Sequence, residues 1–458
     1  MSDGAKTDTS GVTGLRKKFF KYLAAAFGAV LTTSIYSFVD TVVVGQYEGE
    51  TGTAAISCVT PIWNLFISFG ILFGIGGSVM FSVCRGAGDE RKSNEYFTSS
   101  LLSVVGVSAV LYVLFLTLKA PLLSLFGAGD DEVVLAKALA YVSWIAYVMP
   151  LFIVGNYLSA FIRNDGNPLL ATVAVVSGGV FNIFGDIFFV FGLDMGISGA
   201  GLATMIGQIL SFCIMLTHFV RRKKCTLRFA CPHGFFALLL RVLRGGFAPF
   251  IVDFSLGVLV ILFNNRIMQL GGQTALGVFG AIATTVLLVQ VLFYGVGQAL
   301  QPLASFAYGA GDTQALGKLL KYALLTAAAM SVIFFLTAMC APAALTLVYI
   351  GEPGEETLAL GVYAFRAMSV QMLFMGINVT LGYYFQSVLK VATSVMISLL
   401  RGLVLCSALL YLLPAAFGAY AVWWAMPAAE AVTAVVSLVL LAVRRPRTSA
   451  ALAKREEK

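Results

Sequence analysis

Apolar positions along this chain come in long blocks, broken by short polar or glycine-rich stretches. A helix needs about 20 mostly apolar residues to cross a bilayer. Twelve blocks meet that need: 19–45, 54–83, 96–118, 133–158, 168–192, 197–220, 245–270, 276–306, 319–341, 358–385, 391–413 and 417–443. Breaks such as "RGAGDERKSNE" at 85–95 and "RNDGNP" at 163–168 carry the glycine, proline and charge that end helices. The pattern predicts an all-α integral membrane protein of twelve transmembrane helices.

The blocks fall into two sixes that repeat. "FGIGGSVMFSVCRGAGD" closes the second span and "YGVGQALQPLASFAYGAGD" the eighth. Gly74 and Gly76 thereby match Gly295 and Gly297, and Gly86 to Asp89 match Gly309 to Asp312. "GISGAGLATMIGQ" at 196–208 resembles "GAYAVWWAMPAAE" at 418–430. Six crossings return the chain to its starting side, so both halves face the same way. This is a parallel repeat, related by an axis along the membrane normal. It predicts two six-helix lobes, 19–220 and 245–443, joined by a basic cytoplasmic linker at 221–244 and flanked by cytoplasmic tails at 1–18 and 444–458. Many secondary transporters are built so, with a cavity between lobes that opens to each side in turn.

Composition agrees. The chain is 59% hydrophobic and 11% charged, with a mean hydropathy of +0.91, where a soluble domain carries about 25% charged residues. A net charge of +8 raises the question of nucleic acid. The cations, however, lie between spans. With both termini cytoplasmic, about 25 of the 30 Lys and Arg fall inside. They include Arg16/Lys17/Lys18, Arg85/Arg91/Lys92 and Arg221/Arg222/Lys223/Lys224. Outer loops hold Lys119 and the acids Glu48, Glu50, Asp130, Asp131, Glu132, Glu352, Glu355 and Glu356. The asymmetry sets an orientation and removes the need for a nucleic-acid partner. The polar, basic N-terminal segment ahead of a long apolar block predicts a retained first span, not a cleaved signal.

The seven cysteines include no CxxC pair. Cys225, Cys231 and His233 share one loop, but at no standard zinc spacing. Ordinary cysteines in a reducing compartment are expected, and no cofactor. No GxxxxGK[ST], HExxH or GxSxG is present, so neither an ATPase nor a hydrolase is expected.

Charges inside membrane spans cost about 2.5–3.5 kcal/mol each on the insertion scale and are functional candidates by default. Here they are Asp40, Asp186, Asp253, Arg266, Arg366, Arg401 and Glu430. Asp40 lies near the outer end of span 1, within "YSFVDTVVVGQ", roughly 8–12 Å below the loop at about 1.5 Å per residue. Asn182 and Asp186 stand one turn apart on one face of span 5, and Thr204 is about two turns into span 6. These four share a depth in the first lobe. They offer only oxygen-bearing side chains, suited to a hard cation such as sodium or to a shared proton. A close carboxylate pair titrates as a unit. Under the repeat, their counterparts are about Ile261, Ala408 or Leu412, and Met426, all apolar. The polar group is therefore not demanded by the fold. Asp253, Tyr36, Gln371, Asn378, Arg401 and Glu430 are candidates for a substrate or second cation site, and Gln371 and Asn378 sit in the cavity-wall candidate "QMLFMGINVTLGYYFQS". Arg266 and Arg366 lie nearer the outer face, where long cations snorkel.

"YSFVDTVVVGQ", "GAGD" after span 2, "IRNDGNP", "NIFGDIFFVFGLDMGISGAGLAT" and the pattern at 417–430 resemble the multidrug and toxic compound extrusion (MATE) family, in its bacterial branch with an acidic span 1. The resemblance covers nearly the whole chain. It implies a cation-coupled antiporter in the bacterial cytoplasmic (inner) membrane that expels lipophilic or cationic small molecules in exchange for protons or sodium ions. It also implies that Asp40, Asn182, Asp186 and Thr204 hold the coupling ion, and that Asp253 matches an acidic position of some relatives. A monomer in contact with membrane lipids is expected, and no enzyme activity. Relatives usually carry a proline ahead of the span 1 acid. Here that region reads "AAAFGAV", with Ala25 and Gly28, so no proline enforces a bend. The alternative function is a flippase of lipid-linked oligosaccharide or peptidoglycan precursors in the same superfamily.

Overall fold

The computed structural model describes residues 12–128, 131–220, 225–351 and 353–443, with the side chains at 12, 13, 50, 127, 253, 254, 256 and 257 outside the description. Among the described residues there is no strand, and twelve helices are long and apolar enough to cross a membrane. We number them α1 Gly14–Gly49, α2 Thr51–Gly86, α3 Glu90–Phe126, α4 Glu132–Asn164, α5 Pro168–Gly192, α6 Gly196–Val220, α9 Thr313–Cys340, α10 Glu355–Ser387, α11 Val391–Phe417 and α12 Ala419–Val443. The helix Phe235–Gly309 breaks at Gly272 into α7 and α8. Most helices extend beyond their apolar blocks. α7 begins at Phe235 rather than near 245, so the second half of the basic stretch is helical.

The repeat is visible in the turns. Gly49 and Gly272 both take positive φ, at 68° and 66°, where α1 meets α2 and α7 meets α8. Gly88 and Gly311 follow suit at 85° and 71°. After each, an aspartate caps the next helix: Asp89 accepts from the Lys92 amide and Asp312 from the Ala315 amide. A left-handed turn closed by an N-cap carboxylate explains why "GAGD" occurs twice. The third pair is Gly166 at 90° and Leu389 at 57°. There the second half holds a leucine in a conformation that side chains resist.

The chain divides into two compact units, one running from Ala24 to Phe250 and the other joining the chain up to Leu23 with Ile251 onward. In the second unit, the buried Phe19 ring lies 6.2 Å from that of Tyr322. The first unit is pinned where α1 meets α2. Glu48 pairs with Lys137 of α4 at 2.7 Å and accepts the Ile197 amide of α6. Lys137 is thus a charge within an apolar block that the sequence reading passed over.

Candidate functional site

Small residues bring α5 and α6 together. A Cβ on Gly178 would lie 2.5 Å from the Gly207 carbonyl oxygen, and one on Gly185 would lie 2.9 Å from the Ala203 Cβ. Only hydrogen fits at such a crossing. Gly201 does the same between α6 and α4, where a Cβ would stand 2.4 Å from the Tyr141 carbonyl oxygen. On α1, the Tyr36 ring lies against Gly179, and Gly28 sits under Thr172. The Thr172 hydroxyl donates to the Ala25 carbonyl at 2.6 Å. The only non-helical residue in α1 and α2 is Gly49, so α1 passes "AAAFGAV" without a break.

This packing gathers the four residues expected to act together. Asp40 (α1), Asn182 and Asp186 (α5) and Thr204 (α6) are all buried. The Asn182 amide donates to Thr204 Oγ1 at 3.1 Å and to Asp186 Oδ1 at 3.4 Å. Tyr141 of α4 completes the group. Its hydroxyl donates to Asp40 Oδ2 at 2.8 Å. Two hydrogen-bonded sets result, Asn182 with Thr204 and Asp186, and Tyr141 with Asp40. Tyr141 escaped the sequence reading because a tyrosine in an apolar span looks like any packing aromatic.

Three buried oxygens in this group accept no hydrogen bond: Asp40 Oδ1, Asn182 Oδ1 and Asp186 Oδ2. An unsatisfied buried acceptor is costly. Acceptors only, from two carboxylates and an amide, are what a proton or a hard cation requires. The residues therefore fit a sodium ion or proton by donor chemistry. Asp186 is followed directly by a π-helical turn, Ile187–Gly192, a distortion that often marks functional sites.

The remaining candidates separate. Tyr36 is half-buried one turn before Asp40. In the second unit, Glu430 (α12) joins Arg401 (α11) and Asn378 (α10). Arg401 Nε and Nη2 donate to Glu430 Oε1 at 2.9 and 2.7 Å, and the Asn378 amide donates to Oε2 at 2.6 Å. Arg401 itself sits in a π-helical turn, Leu400–Val404. Gln371 is buried with its Nε2 unpartnered. The side chain of Asp253 lies outside the described residues. Arg366 is exposed, and the Arg266 guanidinium lies 5.2 Å from the centre of the Tyr411 ring.

The loop cysteine and histidine do not form one cluster. Cys225 lies with Asp165 and His218, the three offering ligand-type atoms within 4.8 Å of one another. Asp165 is already saturated: Arg85 Nη1 and His218 Nε2 each reach it at 2.7 Å, and both the amide and hydroxyl of Thr226 donate to it. It works as a clasp for the chain after α6. His233 instead contacts Glu95 and Arg91.

Comparison with known proteins identifies the fold and the family. The MatE family model matches residues 25–188 and 249–412. The chain is 23% identical to the multidrug export protein MepA of Staphylococcus saprophyticus, covering 91% of each. It is 22% identical to MepA of Staphylococcus haemolyticus, covering 93% of this chain and 92% of the relative. Among solved structures, it superimposes with a TM-score of 0.86 on a MATE transporter in a bent conformation, at 18% identity and 97% coverage of each chain. A MOP superfamily transporter from Pyrococcus furiosus gives 0.84, also at 18% identity, covering 93% of this chain and 94% of that one. The two-lobed membrane fold and a family match over both halves lead to one conclusion: this chain belongs to the MatE family of transport proteins.

Proposed function

We propose that this protein is a secondary active multidrug exporter of the bacterial cytoplasmic membrane, working as a monomer with both termini cytoplasmic. It expels lipophilic or cationic small molecules by antiport with protons or sodium ions. The observation that carries the reading is the group of three unpartnered buried oxygens on Asp40, Asn182 and Asp186. The MepA relatives, named as multidrug export proteins, support the substrate class.

In this mechanism, substrate loads from the cytoplasm or inner leaflet while Asp40 and Asp186 are unoccupied. An ion entering from outside is held by those carboxylates with Asn182 and Thr204, while Tyr141 fixes the orientation of Asp40. Ion occupancy favours the state that binds substrate weakly, so substrate leaves and the ion is released inside. Such coupling is reciprocal, and about 2–3 kcal/mol of it changes affinity roughly 30–150-fold. The test is efflux of a fluorescent lipophilic cation from proteoliposomes under separately imposed proton and sodium gradients. Wild type responds to one of the two, and Asp40→Asn to neither. Full gradient-driven transport by Asp40→Asn would overturn the assignment.

A further inference from the structure

The chain after α6 is not a loose tether. Three alternate backbone amides from 226 to 230 are each caught by a side chain: Thr226 by Asp165 at 2.9 Å, Arg228 by Asn94 at 2.8 Å and Ala230 by Thr98 at 3.0 Å. Cys225 and Leu227 are buried, while Thr226 and Arg228 are exposed. A period of two identifies an extended strap, laid along the first turns of α3.

The strap gathers cations around that end of α3. Arg228 arrives beside Asn94. His233 meets Arg91 and Glu95, and Arg241 of α7 donates to the Tyr96 hydroxyl at 3.2 Å. Arg91 remains 72% exposed even though it pairs with Glu95 at 3.3 Å. Glu95 is buried and engaged by both Arg91 and His233, and Asp89 is occupied in capping α3. Glu90 and the capping Asp89 are the exposed acids of this turn. Immediately ahead of the strap, the sequence adds Arg221, Arg222, Lys223 and Lys224. Two aromatic side chains stand open in the same stretch, Phe229 at 76% and Phe236 at 82% exposure.

We propose that this strap and the start of α3 form a binding site for an anionic phospholipid, with Arg91, Arg228 and Arg241 on the phosphate and Phe229 and Phe236 against the acyl chains. Fixed cations flanked by exposed aromatics at the end of a membrane helix suit a molecule that is anionic at its head and apolar behind it. A free anion has no use for the aromatics, and a neutral lipid has none for the cations.

The test uses the full chain in detergent, titrated with short-chain phosphatidylglycerol, phosphatidylcholine and glycerol phosphate, with binding read by native mass spectrometry. Phosphatidylglycerol is expected to bind well ahead of the other two. Arg91→Gln with Arg228→Gln should weaken it about 30-fold, at the usual contribution per cation near an anionic surface. Arg91→Lys with Arg228→Lys should retain most binding, and Lys318→Gln with Lys321→Gln on α9 should change nothing. Phe236→Ser, at an exposed position, tests the apolar half without threatening the fold and should also weaken binding. Equal binding of the two lipids, full competition by glycerol phosphate, or wild-type affinity in the Arg91→Gln/Arg228→Gln protein would each overturn the proposal.

Discussion

The Tyr141 hydroxyl sits 2.8 Å from Asp40 Oδ2, tying α4 to α1 across the first unit. The orientation of the span 1 carboxylate is therefore set by a side chain on a helix that carries neither of the two acids. Tyr141→Phe keeps the ring and removes the bond. A hydrogen bond to a charged group contributes about 1.5–3 kcal/mol, so the ion concentration for half-maximal transport should rise roughly tenfold or more. Thermal stability should change little. An unchanged ion dependence would remove Tyr141 from the site.

The crossing of α5 and α6 should tolerate no side chain at Gly178. A Cβ there would stand 2.0 Å from Ser211 Oγ and 2.5 Å from the Gly207 carbonyl oxygen. Gly178→Ala should destabilise by about 1–3 kcal/mol and separate Asn182 from Thr204, lowering the melting temperature and transport together. Gly277→Ala, where nothing lies within 4 Å, is the matched control and should preserve both.

The Arg401–Glu430 pair should show the asymmetry of buried charges. Glu430→Gln leaves Arg401 without its carboxylate, at a cost of about 3–5 kcal/mol. Arg401→Met combined with Glu430→Leu removes both charges and should restore much of that stability, because Asn378 keeps its 2.9 Å bond to the residue 430 carbonyl. Thermal unfolding of Arg401→Met, Glu430→Leu and the double variant measures the coupling. If the double variant is as unstable as Glu430→Leu, the pair is not acting as a neutral unit.

The clasp at Asp165 should hold the strap in place. Asp165→Ala deprives Arg85, His218 and Thr226 of their shared acceptor. Cleavage by trypsin after Arg228 should become several-fold faster, with a lower melting temperature. Resistance equal to wild type would show that the bonds from Asn94 and Thr98 suffice.

Much of this protein is set locally and can be read directly. The membrane spans follow from block hydrophobicity, since a bilayer core accepts little else. The repeated turns follow from glycine and aspartate at fixed offsets, as the positive φ of Gly88 and Gly311 bears out. Asp40, Asn182, Asp186 and Thr204 could be placed at one depth because rise per residue is constant along a helix. Depth does not give rotation about the helix axis. Rotation was decided by contacts between distant segments: Gly178 against Gly207, Gly201 against Tyr141, Tyr36 against Gly179. For that reason Tyr141 joins the group while Cys225 leaves its sequence neighbour His233 for Asp165 and His218. Sequence by itself determined which residues are too polar for the membrane and how deep each lies. Only tertiary packing decided which of them meet, because side-chain direction depends on how closely the backbones of neighbouring helices approach.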